Sequence, residues 1–269
     1  MPTTLAAETQ YGFNNRTPEG GKQVGHLAAY LDPHTFAILD GLNLPVGGRY
    51  ADIGAGAGTV AHWLAEHTGT DGSTLVVDVE PEHVPPHPHI EILQADIATA
   101  ALKPASFDAI HARLLLMHLL QREQILTSLV DALKPGGMLI ISDWATDHLD
   151  DMFIDGPAEI RGVFLKFQHA LIEVFGRGGM NSTWARRVPA VMRSAGLEVH
   201  SGQTFNQVLH GGDAGMLLHA SNSRQKEKEL LDAGMTAGEL ELLRKAMGNP
   251  DVLTRSWPMH TTVGVRPAA

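Results

Sequence analysis

The chain of 269 residues sets 20 Lys and Arg against 30 Asp and Glu, a formal net charge of −10, with 43% hydrophobic residues. The acidic balance speaks against binding a phosphate backbone, and the apolar content excludes a disordered or fibrous chain. Cysteine is absent, so disulfides, thiolate metal sites and cysteine nucleophiles are excluded as well. The longest apolar runs, such as 114–120, fall short of the roughly 20 residues that cross a bilayer, and the first 15 residues lack the basic head and apolar stretch of a secretory signal. A cytoplasmic protein with neither a membrane nor a nucleic-acid partner is expected.

In chain order, 22–44 carries apolar residues at helical spacing on either side of Pro33 and predicts two helices joined at Asp32-Pro33. A short strand over 49–53, a Gly-rich turn and a helix over 59–67 follow. Strands are expected at 75–79, 90–93 and 107–112, separated by connections that could hold helices. The amphipathic stretch 122–133 stops at Lys134-Pro135-Gly136-Gly137, and a fifth strand begins at Met138. This alternation predicts a parallel α/β sheet. Beyond Asp143, helices are expected at 157–175 (a lid), 184–195, 214–233 and 236–247. A strand from 196 towards 209 and a last strand at 260–266 predict an antiparallel pair at a sheet edge.

The segment Ala51-Asp52-Ile53-Gly54-Ala55-Gly56-Ala57-Gly58-Thr59 carries the chemistry. Alternate glycines after a strand bring backbone close to a ligand and present N–H groups at a helix N-terminus. The spacing is Gly-x-Gly-x-Gly, not the Gly-x-Gly-x-x-Gly of dinucleotide sites. Asp52, at the mouth of the turn, would repel a pyrophosphate and suit an ammonium group. Asp78, at the end of the second strand, can accept from both hydroxyls of a ribose. Asp96, past the third strand, can accept from an exocyclic amine.

These segments, with QADI at 94–97, SFDAIHARLLLMHL at 106–119 and LKPGGMLIISD at 133–143, resemble the class I S-adenosylmethionine-dependent methyltransferases in the right order over about residues 45–145. The flanks YGFNN (11–15) and LDPHT (31–35) resemble actinomycete small-molecule, secondary-metabolite methyltransferases. The resemblance implies a Rossmann-like α/β fold, a seven-stranded mostly parallel sheet with helices on both faces and an antiparallel last strand. It implies one domain over 1–269, with an N-terminal helical cap (1–45), a cofactor-binding core (46–150), lid helices (151–195) and C-terminal strands and helices (196–269). It further implies S-adenosylmethionine as cofactor and S-adenosylhomocysteine as product. Gly54, Ala55 and Gly56 would line the methionine part with Asp52 near its amino group, Asp78 would hold the ribose, Val79, Asp96 and Ile97 would flank the adenine, and backbone at Ala112 and Arg113 would face the methyl. Tyr11 and Asn15 would close over the cofactor. One departure is the short, Pro-rich connection 82–89.

Methyl transfer from a sulfonium is an in-line displacement that needs a base only when the acceptor must lose a proton. His111, His118, His169, Glu173 and Asp143 are candidates. His169 and Glu173 share one face of the lid helix and are favoured for catalysis; the competing reading is a solvated pair. Arg113 either anchors an acceptor carboxylate or forms an ion pair with an acid such as Asp143. No metal is expected, since His83, His87 and His89 lie in the Pro-rich connection without a helical ligand pair. Methylation of a small aromatic or heterocyclic metabolite at C, N or O is the leading expectation. A nicotinamide-dependent oxidoreductase, and a homologue using S-adenosylmethionine without methyl transfer, are the alternatives. A homodimer is left open.

Overall fold

The computed structural model describes residues 17–268; Tyr11 and Asn15 lie outside them. The chain enters through α1 (Pro18–Asp40), whose first turn is capped by the Thr17 hydroxyl accepting from Gly20 N–H. The two helices predicted on either side of Pro33 are one. A mid-helix proline costs about 3 kcal/mol, but burial of Val24, Leu31, Ile38 and Leu39 along the helix opposes a break.

Then follow β1 (Arg49–Ile53), α2 (Thr59–Thr68), β2 (Ser73–Asp78), β3 (Ile90–Gln94), β4 (Phe107–Arg113), α3 (Arg122–Ala132) and β5 (Leu133–Trp144). The connections from β2 to β3 and from β3 to β4 contain no α-helix. Pro81, Pro85, Pro86 and Pro88 remove the donors a helix needs in the first, leaving one 3-10 turn at Pro81–His83. β3 is accordingly an exposed edge, with Ile92 and Leu93 partly in solvent.

After β5 come β6 (Phe153–Asp155), α4 (Ala158–Arg177), α5 (Trp184–Ser194), β7 (Glu198–Phe205), β8 (Val208–His210), α6 (Ala214–Gln225), α7 (Glu227–Asp232), α8 (Ala237–Ala246), β9 (Leu253–Arg255) and β10 (Met259–Val265). The long helix expected over 214–233 is divided at Lys226 into α6 and α7. The main sheet runs β3-β2-β1-β4-β5-β10-β7, with β10 antiparallel to both β5 and β7 and the other neighbouring pairs parallel. The expected antiparallel pair at the sheet edge is therefore β7 and β10.

Burial divides by strand parity, because successive side chains point to opposite faces. Tyr50, Ala109, Ile140 and Val263 meet the C-terminal half of α1 and α2. Ala51, Ile53, Ile110, Leu139 and Ile141 meet α3 and α5 within the larger core. That core continues into a cap built from α4, α6, α7 and α8 with a second sheet, β6-β9-β8, absent from the sequence expectations. Its strands β6, β8 and β9 are three residues each, too short for a periodic signal. α1 is stitched to α6 by Gln23 Nε2 donating to Asn222 Oδ1 (2.8 Å) and Ser221 Oγ donating to Glu19 Oε1 (2.8 Å). No helix among the described residues is long and apolar enough to cross a membrane.

Candidate active site

Strand order reverses between β1 and β4, and in an open parallel sheet the crevice at that switch, beyond the strand C-termini, is where ligands bind. An open cleft lies there. Its floor is the turn after β1. Gly54, Gly56 and Gly58 have φ of 72°, 55° and 74°, the left-handed region that only glycine enters freely. A Cβ on Gly58 would stand 2.9 Å from Val84 Cγ1, so this glycine is also forced by packing. Ala55 and Ala57 complete the turn, whose N–H groups lead into α2.

Asp78 accepts from Gly56 N–H (3.2 Å) and Glu80 N–H (2.8 Å), which fixes its carboxylate beside the turn. Asp96 is exposed and accepts from Ala98 N–H at 2.8 Å. Asp78, Val79, Asp96 and Ile97 all line the cleft. Asp52 lies opposite His111 in the β1–β4 register, and His111 Nδ1–H meets Asp52 Oδ1 at 2.8 Å in a fully buried pair. The other two polar atoms, Asp52 Oδ2 and His111 Nε2, have no partner among the described residues although both residues line the cleft.

At the tip of β4 the structure shifts the expectation. Ala112 is buried and does not line the cleft; Arg113, Leu114, Leu115 and Leu119 do. Leu114 has φ 53°, rare for a side chain branched at Cγ, and its N–H is held by Ser142 O at 2.8 Å. Arg113 forms the structural ion pair weighed from the sequence, but with Asp32 rather than Asp143. Its guanidinium donates to Asp32 Oδ1 and Thr35 Oγ1, both at 2.8 Å, tying β4 to α1. Val24, Leu27 and Ala28 of α1 form the facing wall; helical spacing marks them as buried, but only their position over the sheet marks them as lining.

A second, smaller cavity adjoins the first and shares Leu27 and Leu114 with it. Its remaining wall includes Met117, His118, Trp144, Ile172, Phe175, Leu218 and Trp257. Among its lining residues His118 alone is titratable. Burial pushes His118 down to about 4, with Arg122 nearby adding to the effect, so the ring is neutral at pH 7.

The favoured catalytic pair is not brought to either cavity. His169 and Glu173 share a face of α4 as expected, but it is the exposed face, where His169 meets Asp150 at 3.2 Å and Glu173 pairs with Arg177. The buried face of α4, with Phe164, Phe167 and Leu171, is the one turned to the cap core. Asp143 is enclosed without lining either cavity and accepts from Trp184 Nε1 at 3.0 Å. Burial pushes its carboxyl up to about 8, against hydrogen bonds from Trp184 and the backbone that pull down. Among the described residues no three His, Asp or Glu side chains gather to hold a metal ion.

Residues 51–141 match the family described as a methyltransferase domain. The chain is similar to methyltransferase str3 of Strobilurus tenacellus, 31% identical over 143 residues, 51% of this chain and 50% of that protein. It is also similar to methyltransferase GfsG of Streptomyces halstedii, 30% identical over 125 residues, 44% of this chain and 45% of that protein. The chain thus spans about half the length of these curated relatives. The fold matches phosphoethanolamine N-methyltransferase 2 of Haemonchus contortus, solved with phosphomonomethylethanolamine and S-adenosylhomocysteine, with a TM-score of 0.57 at 16% identity, over 94% of this chain and 59% of that one. The Gly-x-Gly-x-Gly turn, Asp52 in β1 and Asp78 at the end of β2 all lie inside the segment that matches the methyltransferase domain, and the reversed β10 completes the seven-stranded sheet.

Proposed function

We propose that this chain methylates a small, uncharged aromatic or heterocyclic metabolite, with S-adenosylmethionine in the Gly-rich cleft and the acceptor in the second cavity. The observation that carries this reading is the second cavity itself: small, walled largely by apolar and aromatic side chains, free of Asp, Glu, Lys and Arg, and joined to the cleft at Leu27 and Leu114.

The cleft fits the cofactor on three features. The unpartnered Asp52 Oδ2 is a place for an ammonium group. A Cβ on Gly56 would meet no atom nearer than Val24 Cγ1 at 3.6 Å, leaving the turn open for close approach. Asp78 keeps acceptor capacity beside the turn, since a carboxylate offers about four lone-pair sites and two are used. In this reading Gly54, Ala55 and Gly56 border the methionine part, Asp78 takes the ribose hydroxyls, and Val79, Asp96 and Ile97 border the adenine. When bound, S-adenosylmethionine supplies a methyl group already activated on a sulfonium. The chain's own contribution is alignment and exclusion of water by Leu27, Leu114 and the apolar wall. For an acceptor that has a proton to lose, His118 is the one titratable group in the second cavity, and because burial holds it down to about 4 it acts there as a weak base.

The test is isothermal titration with S-adenosylhomocysteine beside NAD and NADP, followed by mass spectrometry of an acceptor panel for the gain of one methyl. Binding of S-adenosylhomocysteine alone, with methylated product, is expected. Preference for a nicotinamide nucleotide sinks the reading, and cofactor binding without any methylated product favours a non-methylating homologue.

A further inference from the structure

We infer that the second cavity selects acceptors carrying a neutral oxygen, a carbonyl, ether or hydroxyl group, held by the indole N–H groups of Trp144 and Trp257 and the hydroxyl of Thr146. The inference rests on the reading of that cavity as the acceptor site.

Trp144 ends β5, Thr146 lies two residues beyond, and Trp257 precedes β10, whose Met259 is paired with Trp144. Two segments distant in sequence are thereby gathered at one cavity wall. All are buried, at 8%, 2% and 4% exposure. Trp144 Nε1, Trp257 Nε1 and Thr146 Oγ1 have no hydrogen-bond partner among the described residues. Leaving a buried polar atom unpaired costs about 1–3 kcal/mol, and native interiors rarely tolerate it. The contrast with Trp184 is direct, since its equally buried Nε1 is bonded to Asp143. The three unpaired groups belong to residues that line one small cavity.

Its chemistry is directional. An indole N–H is a donor only, and a threonine hydroxyl can donate, so the complement is an oxygen with lone pairs. With no charged side chain in the wall, a carboxylate, phosphate or ammonium group would be buried without a counter-charge, at a cost of several kcal/mol. A cation on the indole faces is disfavoured too. Trp144 and Trp257 pack edge to face on each other at 4.9 Å, and Trp257 packs likewise on His219 at 5.3 Å, so the rings are already engaged with neighbours.

The experiment uses protein labelled with 15N at its four tryptophans, saturated with S-adenosylhomocysteine and titrated with 2-naphthol, 2-naphthoate and 2-naphthylmethylammonium. Trp144→Phe and Trp257→Phe assign the indole signals; if either fails to fold, Trp63→Phe and Trp184→Phe assign them by elimination. The expected result is a downfield shift of the Trp144 and Trp257 indole protons with 2-naphthol, none at Trp63 or Trp184, and none with the charged probes. Thr146→Val should weaken 2-naphthol binding severalfold. Indole signals that stay in place at saturating 2-naphthol, or that move equally with the carboxylate or the ammonium, overturn the inference. Calorimetry with S-adenosylhomocysteine reports separately on the cofactor reading, so failure of one is distinguishable from failure of the other.

Discussion

Asp78 spends one oxygen on Gly56 N–H and the other on Glu80 N–H, so its side chain both shapes the turn and offers charge to a ligand. Asp78→Asn keeps an acceptor for one N–H while removing the charge. S-adenosylhomocysteine affinity should then fall at least about tenfold, since a hydrogen bond to a charged group contributes roughly 1.5–3 kcal/mol; calorimetry showing unchanged affinity would deny Asp78 the ribose. At the acceptor end, His118→Gln should lower kcat more for an acceptor that must lose a proton than for one that need not. His169→Ala and Glu173→Ala, which alter only the solvated face of α4, should leave steady-state turnover within about twofold. A collapse of turnover in the α4 variants with His118→Gln unaffected would return the base to the lid helix.

At the scale of elements, the tie between β4 and α1 is the exposed weakness of the cleft. Arg113 and Asp32 are each about 13% exposed, a partly buried pair, and α1 carries the wall residues Val24, Leu27 and Ala28. Asp32→Asn strands the guanidinium with a weaker partner, whereas removing both charges relieves the mismatch. Urea unfolding of Asp32→Asn should show a loss of about 1–3 kcal/mol, with weaker S-adenosylhomocysteine binding as α1 loosens. The double variant Asp32→Asn, Arg113→Met should recover part of the stability. Additive losses in that cycle would mean the pair is not coupled.

For the whole molecule, Asp143 links stability to pH. Its unfolded carboxyl ionises near its ordinary value of 3.8 while the folded one holds its proton to about 8. Between those values the folded state binds more protons, so this contribution is full below about pH 4 and is lost as pH rises towards 8. His118 and His219, both lowered by burial to about 4, act in the opposite sense: the unfolded rings charge first, and stability is lost as pH falls from 6.5 towards 4. Asp143→Asn keeps an acceptor for Trp184 Nε1 and removes the titration, leaving both histidines in place. Its melting temperature should rise relative to the unsubstituted protein as pH goes from 4 to 8, by several degrees at roughly 2–4 °C per kcal/mol. A constant difference across that range would mean that Asp143 is ionised in the folded state.

The sequence by itself determined what is local and periodic. The five strands of residues 49–144 with the helices after β1 and β4, the left-handed glycines at 54, 56 and 58, and the acids at the strand ends follow from backbone sterics and hydrophobic period, and they carry the Gly-rich cleft. The continuity of α1 through Pro33 was not legible, because packing outweighed a strong local breaker. Which face of α4 is buried was equally hidden: His169 and Glu173 stand four apart in any helix, and only the cap decides that Phe164 and Phe167 turn inward instead. Arg113 found Asp32 rather than Asp143 because α1 lies over β4, a relation that no spacing encodes. The second cavity belongs wholly to the tertiary structure. Trp144 and Trp257 meet only when β10 pairs antiparallel with β5, so the donors that would read the acceptor are assembled by non-local contacts between segments more than a hundred residues apart.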